Sequence, residues 1–279
     1  MADDTAPLLI DDPIPKVRRL TLNRPDKRNA LNDAIRGALF EELRRADRDR
    51  NISAIVIRGN GPAFCAGYDL GSPNHDVERD IAKQDGWWSR HVVNNWFEMW
   101  DMATPIIGQV HGYCLAGGTE LAAACDLVYV AEDAKVGYPP VRLMSPPDMQ
   151  WQPWLMGLRR GMEALLTGDA MSGVEAVESG MANRAFPAES LGDEVLAVAE
   201  RVAKIPLELL TLNKRAAHRQ MDAMGIRNGI RAGADIQALG FHQPPSIEYL
   251  ESFGKVGVSK ALSERDRQFD DYRERASDD

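Results

Sequence analysis

Apolar residues recur along the first half of this chain in the spacings of strands and helices. Val17–Leu22 alternates apolar and polar positions as a half-buried strand does, and residues 52–58 form a strongly apolar strand pattern. Between them, Asn32 is placed to cap a helix that runs to about Arg48 with one apolar stripe. Further strands at residues 105–111 and 127–131 flank a helix that ends near Ala124. Strands that alternate with helices predict an α/β fold with mostly parallel pairing.

The second half of the chain is predominantly helical in pattern. A proline-rich stretch at residues 137–153 reads as irregular, and helices are predicted at residues 154–166, 172–179 and 191–203. From Pro206 onward the chain is helical and strongly charged. Residues 1–15 are acidic and contain proline, so we expect them to form a loose lead-in.

Composition and charge narrow the class of protein. Hydrophobic residues make up 44% and charged residues 27% of the 279 positions, which is typical of a globular protein. The formal net charge of −9 argues against nucleic acid as the main partner, because phosphate binding needs a basic surface. No apolar run is long enough to span a membrane and no secretory leader is evident, so a soluble, cytoplasmic protein is expected.

The three cysteines indicate neither a disulfide framework nor a metal site. Cys65, Cys114 and Cys125 are odd in number, lack the CxxC spacing, and stand in apolar or glycine-rich surroundings. Buried, unreactive thiols are expected, and no metal centre is predicted.

The segment Gly112–Asp126 carries the most specific candidate chemistry. Gly117 and Gly118 stand at the predicted mouth of a helix, where unpaired N–H groups and the helix dipole favour negative charge. Glu120 follows within one turn and is placed either to move protons or to stabilise the helix dipole. A carbonyl oxygen that becomes negative during a reaction would be stabilised at this point.

A second glycine loop supplies a matching donor. In Phe64-Cys-Ala-Gly-Tyr-Asp-Leu70, Gly67 permits a sharp turn that can point the N–H of Tyr68 outward. Taken alone, this segment is more typical of a plain turn after a strand. Together, the N–H groups of Tyr68 and Gly117 would give two donors for one oxygen.

The order of these motifs resembles the crotonase family, also called the enoyl-CoA hydratase/isomerase superfamily. The resemblance rests on the Tyr68 loop, Pro-Ile-Ile-Gly-x-Val-x-Gly112, Ala-Gly-Gly-x-Glu120-Leu and Cys-Asp-Leu127, in that order. Residues 24–32 and 166–181 resemble the family's N-terminal signature and later helix pair.

This resemblance implies an architecture and a substrate class. It implies a spiral of ββα turns over residues 1–203 and a helical region over residues 204–279 that builds trimers or dimers of trimers. It implies an acyl-CoA thioester as substrate, with coenzyme A as part of that substrate and no separate cofactor. The activity implied is that of a hydratase-like lyase that works through a thioester enolate.

The resemblance also assigns residues to roles. The N–H groups of Tyr68 and Gly117 match the oxyanion hole, and Glu120 matches the first catalytic glutamate. The positions that line the coenzyme A path match Lys27, Arg28, Ala66, Asp69 and Leu70. Lys27 and Arg28 would meet phosphates, although a solvated turn is an equal reading for both of them.

One departure from the hydratase pattern leaves the reaction open. The family's second glutamate lies in a Gly-x-Pro-Glu segment, which here reads Gly137-Tyr-Pro-Pro140. Asp148 is the nearest acidic substitute, as acid, base or nucleophile, although a cap on the next helix is the more common role for an aspartate at such a position. Isomerase, carbon–carbon hydrolase and dehalogenase activities of the superfamily therefore stay open, as does a non-catalytic acyl-CoA-binding protein.

Several aromatic and basic residues are weaker candidates. The tryptophans at positions 87, 88, 151 and 154 would wall the acyl pocket or belong to the core. His111 is expected to be structural, His91 is placed to approach the pocket, and Phe97 falls where the dehalogenase branch has a histidine. The tail residues Lys260, Arg265 and Arg267 match the family only loosely and read as a solvated helix face.

Overall fold

The computed structural model describes residues 5–71 and 92–272, and the structural statements that follow concern those residues. Nine strands form two sheets within them. The larger sheet has the order β1-β2-β3-β5-β7-β9, and the smaller sheet has the order β4-β6-β8. The strands are β1 (Leu8–Ile14), β2 (Val17–Leu22), β3 (Ala54–Gly59), β4 (Ala63–Cys65), β5 (Ile106–Val110), β6 (Tyr113–Leu115), β7 (Leu127–Ala131), β8 (Lys135–Gly137) and β9 (Arg184–Phe186).

Eleven α-helices lie within the described residues. They are α1 (Asp33–Arg48), α2 (Asn94–Asp101), α3 (Gly117–Ala124), α4 (Gln152–Leu155), α5 (Gly157–Thr167), α6 (Gly173–Ser179), α7 (Leu191–Ala203), α8 (Leu207–Ala223), α9 (Ile226–Phe241), α10 (Pro244–Val256) and α11 (Val258–Asp266). Short 3-10 helices cover Pro25–Lys27 and Pro139–Arg142.

From β3 onward, consecutive strands alternate between the two sheets. The chain places β3, β5 and β7 side by side in the larger sheet, and each is followed by a short strand of the smaller sheet. At Gly112, with a φ of 57°, the chain passes from β5 of the larger sheet to β6 of the smaller sheet. A side chain at this position would collide with the backbone of Pro62. The alternation brings the ends of β4 and β6, which carry the two predicted donor loops, next to each other.

Many predicted elements are confirmed. The strand patterns at Val17–Leu22 and Leu127–Ala131 and the helix at Leu191–Ala203 have the predicted bounds. The Asn32 side chain accepts a hydrogen bond from the Ile35 N–H at 3.0 Å, as a helix cap does. All strand pairs except β1–β2 are parallel, as the α/β pattern predicts.

The expectation of a loose N-terminal lead-in is wrong. Leu8–Ile14 pairs antiparallel with Val17–Leu22, and Leu8 is buried at the start of that strand. The acidic residues misled the prediction because they face solvent, where Asp11 pairs with Arg19 and Asp12 with Arg18. The predicted helix at residues 154–166 is divided at Gly157, whose φ is 72°.

A single large core lies between the larger sheet and its helices. Apolar residues of β2, β3, β5 and β7 are buried in it, together with the inner faces of α1, α2 and α7. The three cysteines are buried and unpaired, as expected. No helix in the described ranges is long and apolar enough to cross a membrane.

Helices α8 to α11 follow the last strand and begin at Leu207. This agrees with the helical pattern of the sequence after Pro206. The division of the chain at residue 203 stays a prediction.

Candidate active site

The two predicted donor loops touch each other. Gly67 has a φ of 98°, and a Cβ added there would lie 3.2 Å from the Gly117 nitrogen. A Cβ added at Gly117 would lie 2.7 Å from the ring of Tyr68. Glycine is therefore required on both sides of this contact.

The backbone N–H groups of Tyr68 and Gly117 are available at this contact. Leu31 donates to the Gly67 carbonyl at 2.8 Å and accepts from Asp69 at 3.0 Å, which turns the Tyr68 N–H away from Leu31. No residue in the described ranges accepts a hydrogen bond from either N–H. Because Gly117 is the first residue of α3, its N–H lies at the positive end of that helix.

The residue before Gly117 is in a strained backbone conformation. Ala116 has φ 50° and ψ −123°, which a residue with a Cβ seldom adopts. The Ala116 N–H donates to the Gly137 carbonyl at 3.0 Å, and its own carbonyl accepts from Thr119 at 2.8 Å. These bonds hold the mouth of α3 in a shape that costs about 1–3 kcal/mol elsewhere in proteins.

Glu120 is enclosed and receives hydrogen bonds on both carboxyl oxygens. Its exposed fraction is 0%. The Tyr68 hydroxyl donates to Oε2 at 2.8 Å, and the Tyr138 hydroxyl and the Met149 N–H each donate to Oε1 at 3.2 Å. Burial raises the pKa of Glu120 to about 7, although these donors favour the ionised form. Glu120 can therefore both give and accept a proton near neutral pH.

Asp148 lies next to Glu120 and is also buried, with an exposed fraction of 4%. Its backbone N–H donates to the Tyr138 hydroxyl at 3.4 Å, so Tyr138 connects the two acidic residues. Burial first, and then the charge of Glu120, raise the pKa of Asp148, while Arg36 acts in the opposite direction. Two buried carboxyl groups this close favour sharing one proton.

Asp148 does not cap the next helix. Helix α4 begins at Gln152 after Trp151, and no side chain caps it. In the described chain the Asp148 carboxyl group receives no hydrogen bond, so it remains available for chemistry.

The segment that would carry the family's second glutamate presents a tyrosine instead. Pro140 lies in the 3-10 helix Pro139–Arg142 and has no acidic group, whereas Tyr138 sends its hydroxyl to Glu120. Sequence reasoning missed this role, together with that of Trp96, whose indole N–H donates to the Tyr68 hydroxyl at 3.2 Å. An aromatic residue at the second position of the Gly-x-Pro motif was the available signal for Tyr138.

The end of the same segment is fastened to the C-terminal part of the chain. The side chain of Arg142 is buried and pairs with Asp271 at 2.6 Å and with Asp266 at 3.3 Å. The Tyr272 hydroxyl donates to the Gly168 carbonyl at 2.6 Å, and its oxygen lies directly against Gly137. The backbone next to Tyr138 is therefore held by residues far along the sequence.

The predicted coenzyme A residues lie beside the Tyr68 loop. Lys27 and Arg28 are exposed at a left-handed turn, and the Arg28 carbonyl accepts from the Ala66 N–H at 2.9 Å. The Arg28 guanidinium lies 4.6 Å from the centre of the Tyr113 ring. The structure thus brings a basic turn next to the donor loop.

Asp69 and Leu70 complete this edge. The Asp69 carboxylate pairs with Arg24 at 2.8 Å and accepts from the Gly71 N–H at 3.0 Å. Leu70 packs against a small cluster that includes Met144 and Tyr249. Asp69 therefore stabilises the loop itself, and its contact with coenzyme A stays a prediction.

The remaining aromatic candidates belong mainly to the core. Trp151 is buried, with its ring centre 5.4 Å from that of Phe97 and 5.1 Å from that of Trp100. Trp154 is half-buried against Gly229. The positions of Trp87, Trp88 and His91 lie outside the described residues.

The other weak candidates have structural contacts. His111 pairs with the Gly61 carbonyl at 2.8 Å, which supports the structural reading. Arg265 is buried and pairs with Asp266 at 2.8 Å, so the expected solvated face is wrong for this residue, whereas Lys260 faces the exposed Glu264. No group of side chains in the described ranges is arranged to hold a metal ion.

The sequence and the fold of this chain are similar to those of known proteins. The family profile for enoyl-CoA hydratase/isomerase matches residues 15–251. A probable enoyl-CoA hydratase of Rhizobium meliloti is 34% identical over 221 residues, which are 77% of this chain and 82% of that protein.

Solved structures extend the likeness to the fold. An enoyl-CoA hydratase from Mycobacterium smegmatis has a TM-score of 0.89 at 28% identity, covering 98% of this chain and 97% of that chain. A probable enoyl-CoA hydratase from Mycobacterium thermoresistibile has a TM-score of 0.78 at 32% identity, covering 84% and 96%. These likenesses confirm the α/β crotonase-type fold with its helical C-terminal region.

Proposed function

Because this chain belongs to the enoyl-CoA hydratase/isomerase family, we propose that it is a hydratase-like lyase acting on 2-enoyl-CoA thioesters. One observation carries the proposal: the Tyr68 loop and Gly117, which begins the helix turn that carries Glu120, meet beside the buried Glu120 carboxyl group, and both offer a backbone N–H without a partner in the described chain. Coenzyme A is part of the substrate, and no separate cofactor takes part.

The two donors act on the thioester carbonyl. Its oxygen accepts hydrogen bonds from the N–H groups of Tyr68 and Gly117, and the dipole of α3 adds to their effect. Electron density drawn toward this oxygen makes the β-carbon electrophilic and the α-carbon acidic. The enolate formed during the reaction is stabilised because the donors are fixed before the charge develops.

Water is then added across the double bond in two linked steps. One ionised carboxyl group removes a proton from water as the water oxygen bonds to the β-carbon, and the π electrons move to the thioester oxygen. The protonated carboxyl group of the pair formed by Glu120 and Asp148 gives its proton to the α-carbon as the electrons return from the enolate. Asp148 assists in place of the acidic group missing at Pro140, since a pair that shares one proton provides both an acid and a base.

The coenzyme A portion would lie along the edge of the Tyr68 loop. Lys27 and Arg28 offer positive charge to its phosphates, and Ala66, Asp69 and Leu70 border its path. The contact between Arg28 and Ala66 supports this arrangement, because it joins the basic turn to the loop that carries one donor.

Turnover of short and medium 2-enoyl-CoA thioesters tests the proposal. We expect Glu120→Gln to reduce kcat/KM by roughly 100-fold or more, because it removes the principal acid/base group. Asp148→Asn is expected to reduce it to a similar or smaller extent, while coenzyme A binding measured by calorimetry stays intact. Glu163→Gln, at an exposed position on α5, is the matched control. Undiminished turnover by Glu120→Gln would remove Glu120 from the mechanism.

Other reactions of the superfamily form the second candidate. The Asp148 carboxyl group is buried without a hydrogen bond in the described chain, which suits a nucleophile or a base in an isomerase, carbon–carbon hydrolase or dehalogenase. Mass spectrometry of the products from a panel of acyl-CoA thioesters separates these reactions from hydration. Binding without conversion of any thioester would instead identify a non-catalytic acyl-CoA-binding protein, which Pro140 supports.

A further inference from the structure

Helix α9 runs alongside the segment that carries Asp148. At Gly233 an added Cβ would lie 2.8 Å from the side chain of Gln150, whose amide donates to the Gly233 carbonyl at 3.4 Å. At Gly240 an added Cβ would lie 3.1 Å from Pro146. The helix and the segment therefore run in opposite directions and face each other.

Gln237 lies on this facing side of α9. It is one turn beyond Gly233 and one turn before Gly240, which places it opposite residues 147–149. Its exposed fraction is 1%. Neither the nitrogen nor the oxygen of its side-chain amide has a hydrogen-bond partner in the described chain. A buried amide without partners is costly to a folded protein and requires an explanation.

The residues that follow Asp148 contain further polar atoms without hydrogen-bond partners in the described ranges. The indole nitrogen of Trp151 and the side-chain oxygen of Gln152 are buried and make no hydrogen bond in the described ranges. They add one donor and one acceptor without partners within five residues of Asp148. A plain hydrocarbon chain bound beside Gln237 would leave the Gln237 amide without partners.

We propose that Gln237 is a specificity-determining residue that binds an uncharged oxygen-bearing group, a hydroxyl or a ketone, on the acyl part of the substrate. This inference rests on the proposed function, because Asp148 and Glu120 are taken to lie at the reacting carbons. Gln237 then lies beyond those carbons, where the acyl chain continues. Its nitrogen donates to the substrate oxygen, and its own oxygen accepts from a substrate hydroxyl.

The preferred substrate class is therefore an oxygenated enoyl-CoA. A site built to hydrogen-bond a substrate hydroxyl discriminates strongly against the analogue that lacks it, since its buried polar groups are then left without partners. An apolar site discriminates much less between the same two molecules.

The test compares matched substrates on matched variants. The substrates are hex-2-enoyl-CoA and its analogues with one hydroxyl on the γ-, δ- or ω-carbon. For at least one hydroxyl position we expect the wild-type protein to show a kcat/KM roughly tenfold or more above that for the plain thioester. Gln237→Leu should abolish or reverse this preference. Asn228→Leu, an amide-to-leucine change at an exposed position of the same helix, should leave it unchanged.

Two controls keep the outcome interpretable. Thermal unfolding shows whether Gln237→Leu is folded, and Gln237→Met replaces it if it is not. A substrate preference that is the same in the wild-type protein and in the folded Gln237 variant overturns the inference.

The experiment distinguishes failure of the proposed function from failure of this inference. If the wild-type protein converts none of the thioesters, hydration is refuted, and calorimetry with hydroxylated and plain saturated hexanoyl-CoA still measures the preference. Tighter binding of a hydroxylated form that Gln237→Leu abolishes supports the inference, whereas equal affinities overturn it.

Discussion

The protonation of Glu120 is set by the few groups that surround its carboxyl group. Burial raises its pKa, whereas hydrogen bonds from Tyr68, Tyr138 and Met149 favour the ionised form. Removing one of these donors therefore raises the pKa further above its value of about 7.

Tyr138→Phe tests this balance. We expect the limb of the pH profile of kcat/KM that reports Glu120 to move to higher pH, because the ionised form loses a donor. Tyr129→Phe, a buried tyrosine of β7 that packs on Phe186, should leave the limb in place. An unshifted limb in Tyr138→Phe would show that its hydroxyl does not stabilise the carboxylate.

Glu120 also makes stability depend on pH. Its pKa rises from the ordinary 4.5 to about 7 on folding. Below both values Glu120 is protonated in the folded and in the unfolded chain, so its ionisation does not change the free energy of unfolding. As pH rises through this window, the unfolded chain gains from ionisation before the folded chain does, and stability is lost. The loss is on the order of 3 kcal/mol at most, since each unit of pKa is worth about 1.4 kcal/mol.

Glu120→Gln should remove this dependence. Relative to the wild-type protein, we expect the variant to gain free energy of unfolding in urea between pH 4.5 and pH 8. Glu163→Gln, at an exposed position, should show no such change. A difference between Glu120→Gln and the wild-type protein that stays constant with pH would contradict the raised pKa.

At the level of individual residues, the sequence predicted part of the site. Glu120, Gly117 and the Tyr68 N–H lie within short motifs, so their local order was sufficient to propose them. The hydroxyl of Tyr138 and the indole of Trp96 reach the site only after separate elements pack together. No spacing along the chain reports that packing.

The elements that carry the site depend on close contact between two loops. Gly117 opens α3 directly against the Tyr68 ring. This contact fixes the distance between the two proposed donors, because both belong to the residues that touch.

Gly117→Ala should separate the donors. The added Cβ would lie 2.7 Å from the ring, so we expect the Tyr68 loop to shift and kcat/KM to fall by roughly 100-fold, as when one oxyanion donor is lost. Gly37→Ala is the control, because nothing lies within 4 Å of its added Cβ in α1. That change should preserve activity and add up to about 1 kcal/mol of stability, since alanine favours helix more than glycine. Full activity in Gly117→Ala would refute the dependence on this contact.

Element prediction succeeded where the apolar pattern was long. The thirteen residues of α7 give a full helical pattern, and their bounds were predicted correctly. Strands β4, β6 and β8 each have three residues, too few for any periodicity to emerge. Their existence follows from pairing with one another, which is a tertiary property.

The surface of the described chain carries a stripe of exposed apolar residues along α5. Leu158, Met162 and Leu166 of α5 are spaced four apart, and each is exposed. This stripe agrees with the trimer that family resemblance implies, because a helix face of this kind is normally buried against another surface.

Sedimentation tests that assembly. We expect the wild-type protein to have about three times the 30.9 kDa mass of one chain, or six times if trimers pair. Leu158→Lys combined with Leu166→Lys should lower this mass. Glu194→Lys, at an exposed position of α7, should not do so. A wild-type protein of single-chain mass would refute the trimer.

The ties between Arg142 and Asp271 and between Tyr272 and Gly168 have a consequence for how the molecule is made. The loops of Tyr68 and Gly117 leave the ribosome long before residues 266–272, and early segments of a chain can begin folding during synthesis. The Tyr138 backbone, however, is not fastened until Asp271 and Tyr272 have been translated. A nascent chain that ends before them can already possess both glycine loops, but its Glu120 lacks a fully anchored partner. We therefore expect catalytic competence to appear only after Asp271 and Tyr272 have been translated and have made these contacts.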